Sequence, residues 1–339
     1  MNVALTEDEE LLQQTARRVA DLVGPAPTDP ENREDAMCWA TLSQAGLLGL
    51  PRIEAGSALG TGVASALVAE ALAYQPCALP FVGSGVLAPA LLVAAGADPS
   101  LLDSIESGDL RVGIGLDADL RSPRTSGGAV VAWDAAHATT VISVADDDTL
   151  RVFDVPDAVQ LSSVDLSRDT FELPPAAGSV LADYGGPIGE DAWAHWTALA
   201  LTTITADLCG IMRGALDLAV DYAKSRVQFG VPIGSFQAVK HLCADALVHV
   251  ETSRSAMLYA AWSVDHAVPD EALHAARVAK SFSSEAAMAV TETCIQIHGG
   301  MGITWENEAH VFLRRALLDR QTLGDEAAQL SVLASSGAR

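Results

Sequence analysis

The sequence predicts a mainly α-helical protein in which a small β domain sits between an N-terminal helical domain and a C-terminal helical bundle. Three observations predict it. Hydrophobic residues recur at helical spacing up to about residue 108 and again beyond about residue 191. Between them, from Leu110 to about Val180, the pattern shortens to brief apolar runs separated by Gly, Asp, Ser and Pro. Half of the 339 residues are hydrophobic, only 19% are charged and 5% are aromatic, which suits a large core of helices packed through alanine. The expected divisions are 1–108, 109–186 and 187–339.

Thr6 and Glu9 form a capping-box pattern ahead of the periodic Leu11, Leu12, Thr15 and Val19, so a first helix starts there. A second is expected over Arg33 to Ala45, and residues 59–108 read as further helices broken at Pro76, Pro80 and Pro89. Strands are expected at Val112–Leu116, Ala129–Trp133, Thr140–Val144, Leu150–Val155 and Thr170–Leu173, and Pro187 to Asp191 reads as a linker. Long helices follow over about 191–225, 237–265, 271–298, 306–320 and 325–335. Gly230–Gly234, Pro269-Asp270 and Gly299-Gly300 separate the first four. Such lengths with short breaks indicate an antiparallel bundle.

The 20 basic and 44 acidic residues leave a net charge of -24. That field repels phosphate backbones and anionic membrane surfaces, so no nucleic acid and no membrane is expected as a partner. Any anionic ligand must be met by a few well-placed cations. Cys38, Cys77, Cys209, Cys243 and Cys294 are scattered, with no C-x-x-C pair and no His at metal-ligand spacing, as for reduced thiols in a cytoplasmic protein. The acidic N-terminal segment is unlike a secretion signal, and the longest apolar stretch, Val86 to Ala95, is too short to span a bilayer.

Two motifs carry chemistry. Arg226-Val227-Gln228-Phe229-Gly230-Val231-Pro232-Ile233-Gly234-Ser235-Phe236-Gln237 lies where one long helix ends and the next begins. Arg226 offers a planar fork of donors suited to a pyrophosphate, and Phe229 a face for a planar ligand. A plain helix cap, with Arg in the last turn and Gly and Pro as stop signals, accounts for the same residues. Gln296-Ile297-His298-Gly299-Gly300-Met301-Gly302-Ile303-Thr304 closes a later helix. Its glycines permit close approach and free backbone N–H groups for an anion, but a helix break is again sufficient, and His298 alone reads as a hydrogen-bonded structural residue.

Taken together, the two motifs, the following Leu313-Arg314-Arg315-Ala316 and Lys280 between them resemble the acyl-CoA dehydrogenase family. The resemblance is specific over residues 205–320 and architectural before that. It implies that family's fold, with a barrel-like middle domain and a four-helix bundle, and α,β-desaturation of an acyl-CoA thioester using FAD and a Glu base. The family's C-terminal domain holds the ADP half of an FAD whose ring lies in the neighbouring subunit. By position, Arg226 should contact the pyrophosphate, Gln228, Phe229 and Gln237 line the same groove, and Gln296, His298, Gly299 and Gly300 contact the FAD from the bend.

The chain departs from the family where the chemistry should be. The two positions used for the catalytic Glu fall at Leu323 and Ala200, neither of which abstracts a proton. Asp207, two turns from Ala200, reads as a solvated helix residue. The flavin-facing T-E-P-x-A-G-S-D-like and W-I-T-N-like stretches have no counterpart between Leu110 and Val144, and the chain is shorter than a typical member. This one-sided loss resembles the short β subunit of actinobacterial α2β2 acyl-CoA dehydrogenases acting on steroid side-chain CoA thioesters. There a full-length α subunit supplies flavin pocket and base, and an electron-transferring flavoprotein is the family's usual acceptor. Two alternatives stay open: a flavin-free structural or regulatory protein, and a homomeric dehydrogenase using Glu251 or Asp207.

Overall fold

The structure, a computed structural model, describes residues 5–26, 28, 37–52, 60–125, 128–155, 159–173 and 178–336. Helix α1, Glu7–Val23, opens on a capping box in which Thr6 and Glu9 satisfy each other's backbone N–H, with four acids in the first turn facing the positive end of the dipole. Helix α2 covers Met37–Gln44, and the earlier part of the expected second helix, 33–36, lies outside the described residues. Helix α3, Thr61–Ala73, is buried almost all round, which its uniformly apolar sequence requires. Pro89 does not break the chain as expected. A π-helical turn, Phe81–Leu87, runs straight into α4, Ala88–Ala95, placing Pro89 in the first turn, where its missing N–H costs nothing. Helix α5, Pro99–Glu106, is capped by the Asp98 carboxylate.

The middle region is a six-stranded sheet. Strands β1 (Val112–Leu116), β2 (Val130–Trp133), β3 (Thr140–Val144), β4 (Leu150–Asp154), β5 (Val159–Gln160) and β6 (Thr170–Leu173) pair in the order β4-β3-β1-β2-β6-β5. Among the named strand pairs, β1 and β3 alone run parallel, joined through Val112↔Thr140 and Ile114↔Ile142. Strands β1, β2 and β3 are buried on both faces, hence their unbroken apolar runs. Among the described residues the pairing order is linear, with β4 and β5 at the ends. Strand β5 is too short and too exposed to show in the hydrophobic pattern.

The segment read as a linker is anchored. Ile188 is buried and its N–H bonds Asp148 O at 3.0 Å, while Glu190 and Asp191 already form the first turn of α6, Glu190–Ser225. This helix is long and apolar enough to cross a membrane, but 94% of its apolar window is buried by the rest of the chain, as the central helix of a core is. Gly210 and Gly214 let α3 lie directly on α6: an added Cβ at these positions would collide with the carbonyl oxygens of Glu70 and Tyr74. After a short hairpin come α7 (Gln237–His266), α8 (Pro269–His298), α9 (Ala309–Gln321) and α10 (Glu326–Ser336). Two short reversals make α8 parallel to α6, so the C-terminal ends of these two helices meet at one end of the bundle.

Candidate functional site

That end carries both motifs. Arg226 caps α6, its N–H bonding Tyr222 O and its carbonyl accepting from Ile233 N at 2.8 Å. Strands β7 (Val227–Gln228) and β8 (Val231–Pro232) pair across a two-residue turn in which Phe229 and Gly230 both have positive φ, 53° and 82°. Such a primed turn suits the twist of a two-stranded ribbon, and Gly230 adopts it without strain. Phe229 projects 93% exposed, edge-on to Phe236 with ring centres 6.2 Å apart. The Arg226, Gln228 and Gln237 side chains are all exposed, although Gln228 Nε2 donates to the neighbouring Val227 O at 2.8 Å.

At the bend, α8 stops because Gly299 turns to φ 63°. A Cβ added at Gly299 or Gly300 would meet nothing within 4 Å, so bare backbone faces open space there, beside the exposed Gln296. His298 behaves differently from its neighbours. It is buried, its Nδ1 lies 2.8 Å from Cys294 O, and its ring stacks on Tyr222 at 4.3 Å. Tyr222 Oη also approaches Met301 Sδ at 3.7 Å. Tyr222, one turn before Arg226 and unremarked in the sequence, is thus the residue that ties hairpin to bend. The result is an exposed cation, an exposed aromatic face and unobstructed backbone at the same end of the bundle, a combination that fits the phosphate and planar parts of a nucleotide.

The positions expected for a base are sealed. Ala200 is 1% exposed and Leu323 is 7% exposed. Leu323 N–H bonds Leu120 O at 2.7 Å, and both leucines hold positive φ, 56° and 59°, a strained conformation for such a residue. Gln321 Nε2 adds a bond to Asp119 O at 3.4 Å. The loop after β1 and the segment after α9 are therefore clasped together. Behind the clasp, Lys280 is wholly buried and donates to Ser284 Oγ, Arg320 O and Gly324 O at 2.9–3.1 Å, with burial pushing its amine down to about 8. It closes the end of α9 rather than facing a ligand.

Asp207 corrects the sequence reading most sharply. It is 1% exposed rather than solvated, and takes Arg315 Nε and Nη2 at 2.9 and 2.6 Å. Burial alone would raise its pKa, but Arg168 and Arg315 outweigh that and hold it below the usual carboxylate range. Arg168, also fully buried, reaches Asp207 at 3.1 Å, Asp134 at 3.4 Å, Asp165 at 4.0 Å and Asp319 more closely still. No amphipathic pattern announces such a cluster, because its members come from the residue after β2, the β5–β6 loop, α6 and α9. Glu251, the other alternative base, pairs with Arg213 at the surface. Among the described cysteine side chains, Cys77, Cys209 and Cys294 are buried free thiols and Cys243 is half-buried. Cys38 lies outside those described. No cluster of metal-ligating side chains occurs among the described residues.

The helical–sheet–helical order is the acyl-CoA dehydrogenase fold, which solved structures of butyryl-CoA and glutaryl-CoA dehydrogenases share with a TM-score of 0.83 at 22% identity. Residues 200–337 match the model described as acyl-CoA dehydrogenase, C-terminal domain. "Acyl-CoA dehydrogenase IpdE2" of Mycolicibacterium smegmatis is 31% identical over 334 residues, covering 96% of this chain and 97% of that protein. The chain belongs to the acyl-CoA dehydrogenase family. "Acyl-CoA dehydrogenase FadE34" of Mycobacterium tuberculosis is 38% identical over 224 residues, which are 65% of this chain but only 31% of that longer protein. The solved structure of the "Tcur3481-Tcur3483 steroid ACAD G363A variant" superposes with a TM-score of 0.82 at 23% identity, over 98% of this chain and 99% of that one. Heteromeric steroid acyl-CoA dehydrogenase complexes are thus among the structural neighbours.

Proposed function

We propose that this chain is the non-catalytic subunit of a hetero-oligomeric, FAD-dependent acyl-CoA dehydrogenase, of α2β2 form. It supplies the ADP-side contacts to an FAD whose ring pocket and catalytic Glu belong to a full-length partner subunit. The observation that carries this reading is the contrast between an open hairpin–bend surface bearing Arg226 and two buried positions without a base, Leu323 in the clasped segment and Ala200 within α6. Bound FAD supplies the hydride acceptor for desaturation of an acyl-CoA thioester, with a steroid side-chain CoA as the proposed class. Arg226 holds the pyrophosphate charge, Phe229 covers a planar face, and Gln228, Gln237 and Gln296 complete the groove. Gly299 and Gly300 keep the backbone open to the phosphates, and His298 acts through Tyr222 by fixing hairpin against bend. The exposed apolar side chains here, Phe229 at 93%, Ile303 at 71% and Val227 at 52%, suit a surface that a partner covers. Asp207, locked between two guanidinium groups, is unsuited to be the base of a self-sufficient enzyme.

Co-expression with a full-length acyl-CoA dehydrogenase encoded beside it tests the proposal. The expected product is a yellow complex with half an FAD per chain that passes electrons from an acyl-CoA to an electron-transferring flavoprotein or an artificial acceptor. A chain that purifies alone with about one FAD per monomer and oxidises acyl-CoA would overturn it.

A further inference from the structure

Six ionisable side chains converge where the sheet meets the bundle, and all are buried. Asp134 directly follows β2, Asp165 and Arg168 come from the β5–β6 loop, Asp207 from α6, and Arg315 and Asp319 from α9. The N-terminal helical region joins them through its backbone: Gly83 N–H donates to Asp134 Oδ2 at 2.8 Å, and Cys77 O accepts from Arg315 Nη1 at 3.0 Å. Ser84 Oγ and Ser167 Oγ complete the shell, bonding Asp134 O at 3.2 Å and Arg315 Nη1 at 3.0 Å. The Trp133 ring lies 4.8 Å from the Arg168 guanidinium. One cluster therefore fastens three parts of the chain to one another.

Its charges do not balance. Two guanidinium groups face four carboxyls, and burying two uncompensated negative charges costs several kcal/mol each, on the order of what the whole fold is worth. Arg168 and Arg315 cannot change charge, so protons on the carboxyls must make up the difference. Asp207 is gripped by both guanidinium groups, and Asp165 Oδ1 accepts from Ser167 N and Oγ at 2.7 and 2.6 Å. Asp319 and Asp134 are left to carry protons.

We propose that this cluster is a proton-loaded latch: the docked arrangement of sheet, N-terminal helices and bundle requires neutral carboxyls within it, and docking weakens as the Asp134 proton is lost. Asp319 retains its proton well above the ordinary carboxyl range, chiefly through burial, with the negative charge of Asp207 adding to it. Asp134 is the group that titrates within reach, with burial outweighing Arg168 and raising it to about 6. The sign follows from linkage. An acid whose folded pKa exceeds its unfolded value stabilises the fold fully below the unfolded value, and that contribution is lost as pH rises through about 6.

Asp134→Asn mimics the protonated acid and keeps an oxygen for Gly83 N–H. Unfolding of the full chain by urea, followed from about pH 4 to about pH 8 for both proteins, isolates the single proton from the background of the other acids. The wild type should lose on the order of a hundredfold in folding equilibrium relative to the variant across this range. Hydrogen exchange at Gly83 should accelerate with pH beyond the intrinsic rate in the wild type and not in the variant. Where the variant does not fold, a carboxyl-labelled Asp NMR titration of the wild type decides instead, since Asp134 must titrate well above the ordinary Asp range. Parallel pH profiles for the two proteins, or an Asp134 carboxyl titrating normally, would overturn the latch.

Discussion

Replacing Asp207 with Asn puts a number on the ion cluster and tests the role of Asp207 together. The amide keeps the shape of the carboxylate that Arg315 grips at 2.9 and 2.6 Å and that Arg168 meets at 3.1 Å, but removes its charge. Taking one partner from a buried ion pair costs about 3–5 kcal/mol, because the other is left uncompensated. Here relief is built in. Asp319 keeps its proton mainly through burial and partly through the charge of Asp207, so it ionises more readily in the variant and restores some negative charge beside Arg168. The expected loss is therefore near the low end, about 3 kcal/mol, a large part of the roughly 5–15 kcal/mol typical of a native fold. Urea unfolding near neutral pH should show a lower midpoint with an unchanged slope. A loss below about 1 kcal/mol would refute the view that Asp207 anchors two buried cations. A variant as stable as wild type whose complex has lost desaturation would instead identify Asp207 as a base.

Other perturbations probe other links. Arg226→Ala should lower the flavin affinity of the co-expressed complex by tenfold or more, as for loss of a charge-assisted bond of about 1.5–3 kcal/mol, read as loss of yellow colour on dialysis with assembly unchanged. Gly210→Ala should cost about 1–3 kcal/mol in urea unfolding, since the new methyl meets the Glu70 carbonyl at the α3–α6 crossing. Lys280, depressed to about 8 from 10.5, binds its proton less readily folded than unfolded, so its contribution to stability rises with pH between those values. Lys280→Met should abolish that rise of about 3 kcal/mol, measurable as a flattened dependence of melting temperature on alkaline pH.

Sequence periodicity located most elements because each is built from local pattern. Thr6 and Glu9 cap α1 through neighbours three residues apart, and the β1, β3 and β6 runs coincide with their strands. Pro89 misled because a π-helical turn, itself a tertiary accommodation, carries the chain through it. Of the candidate site, the exposed Arg226, Gln228, Phe229 and Gln237 fall along the hairpin and the helix ends that flank it, since eleven-residue proximity needs no long-range folding. His298 was harder to judge: whether it faces ligand or core depends on Tyr222, seventy-six positions away in sequence.

What the sequence determined by itself is the order of helices and strands and the two glycine-marked motifs at helix ends. Those are statements about residue type and spacing, which local propensity and short-range sterics enforce. Only the tertiary structure decided that Leu323 is clasped to Leu120, that Asp207 is a buried anion rather than a solvated one, and that four carboxyls share two guanidinium groups. The physical reason is distance in the chain. Burial and the pairing of charges depend on which remote segments meet, and Arg168, Asp207 and Asp319 have no short-range spacing that would betray their meeting.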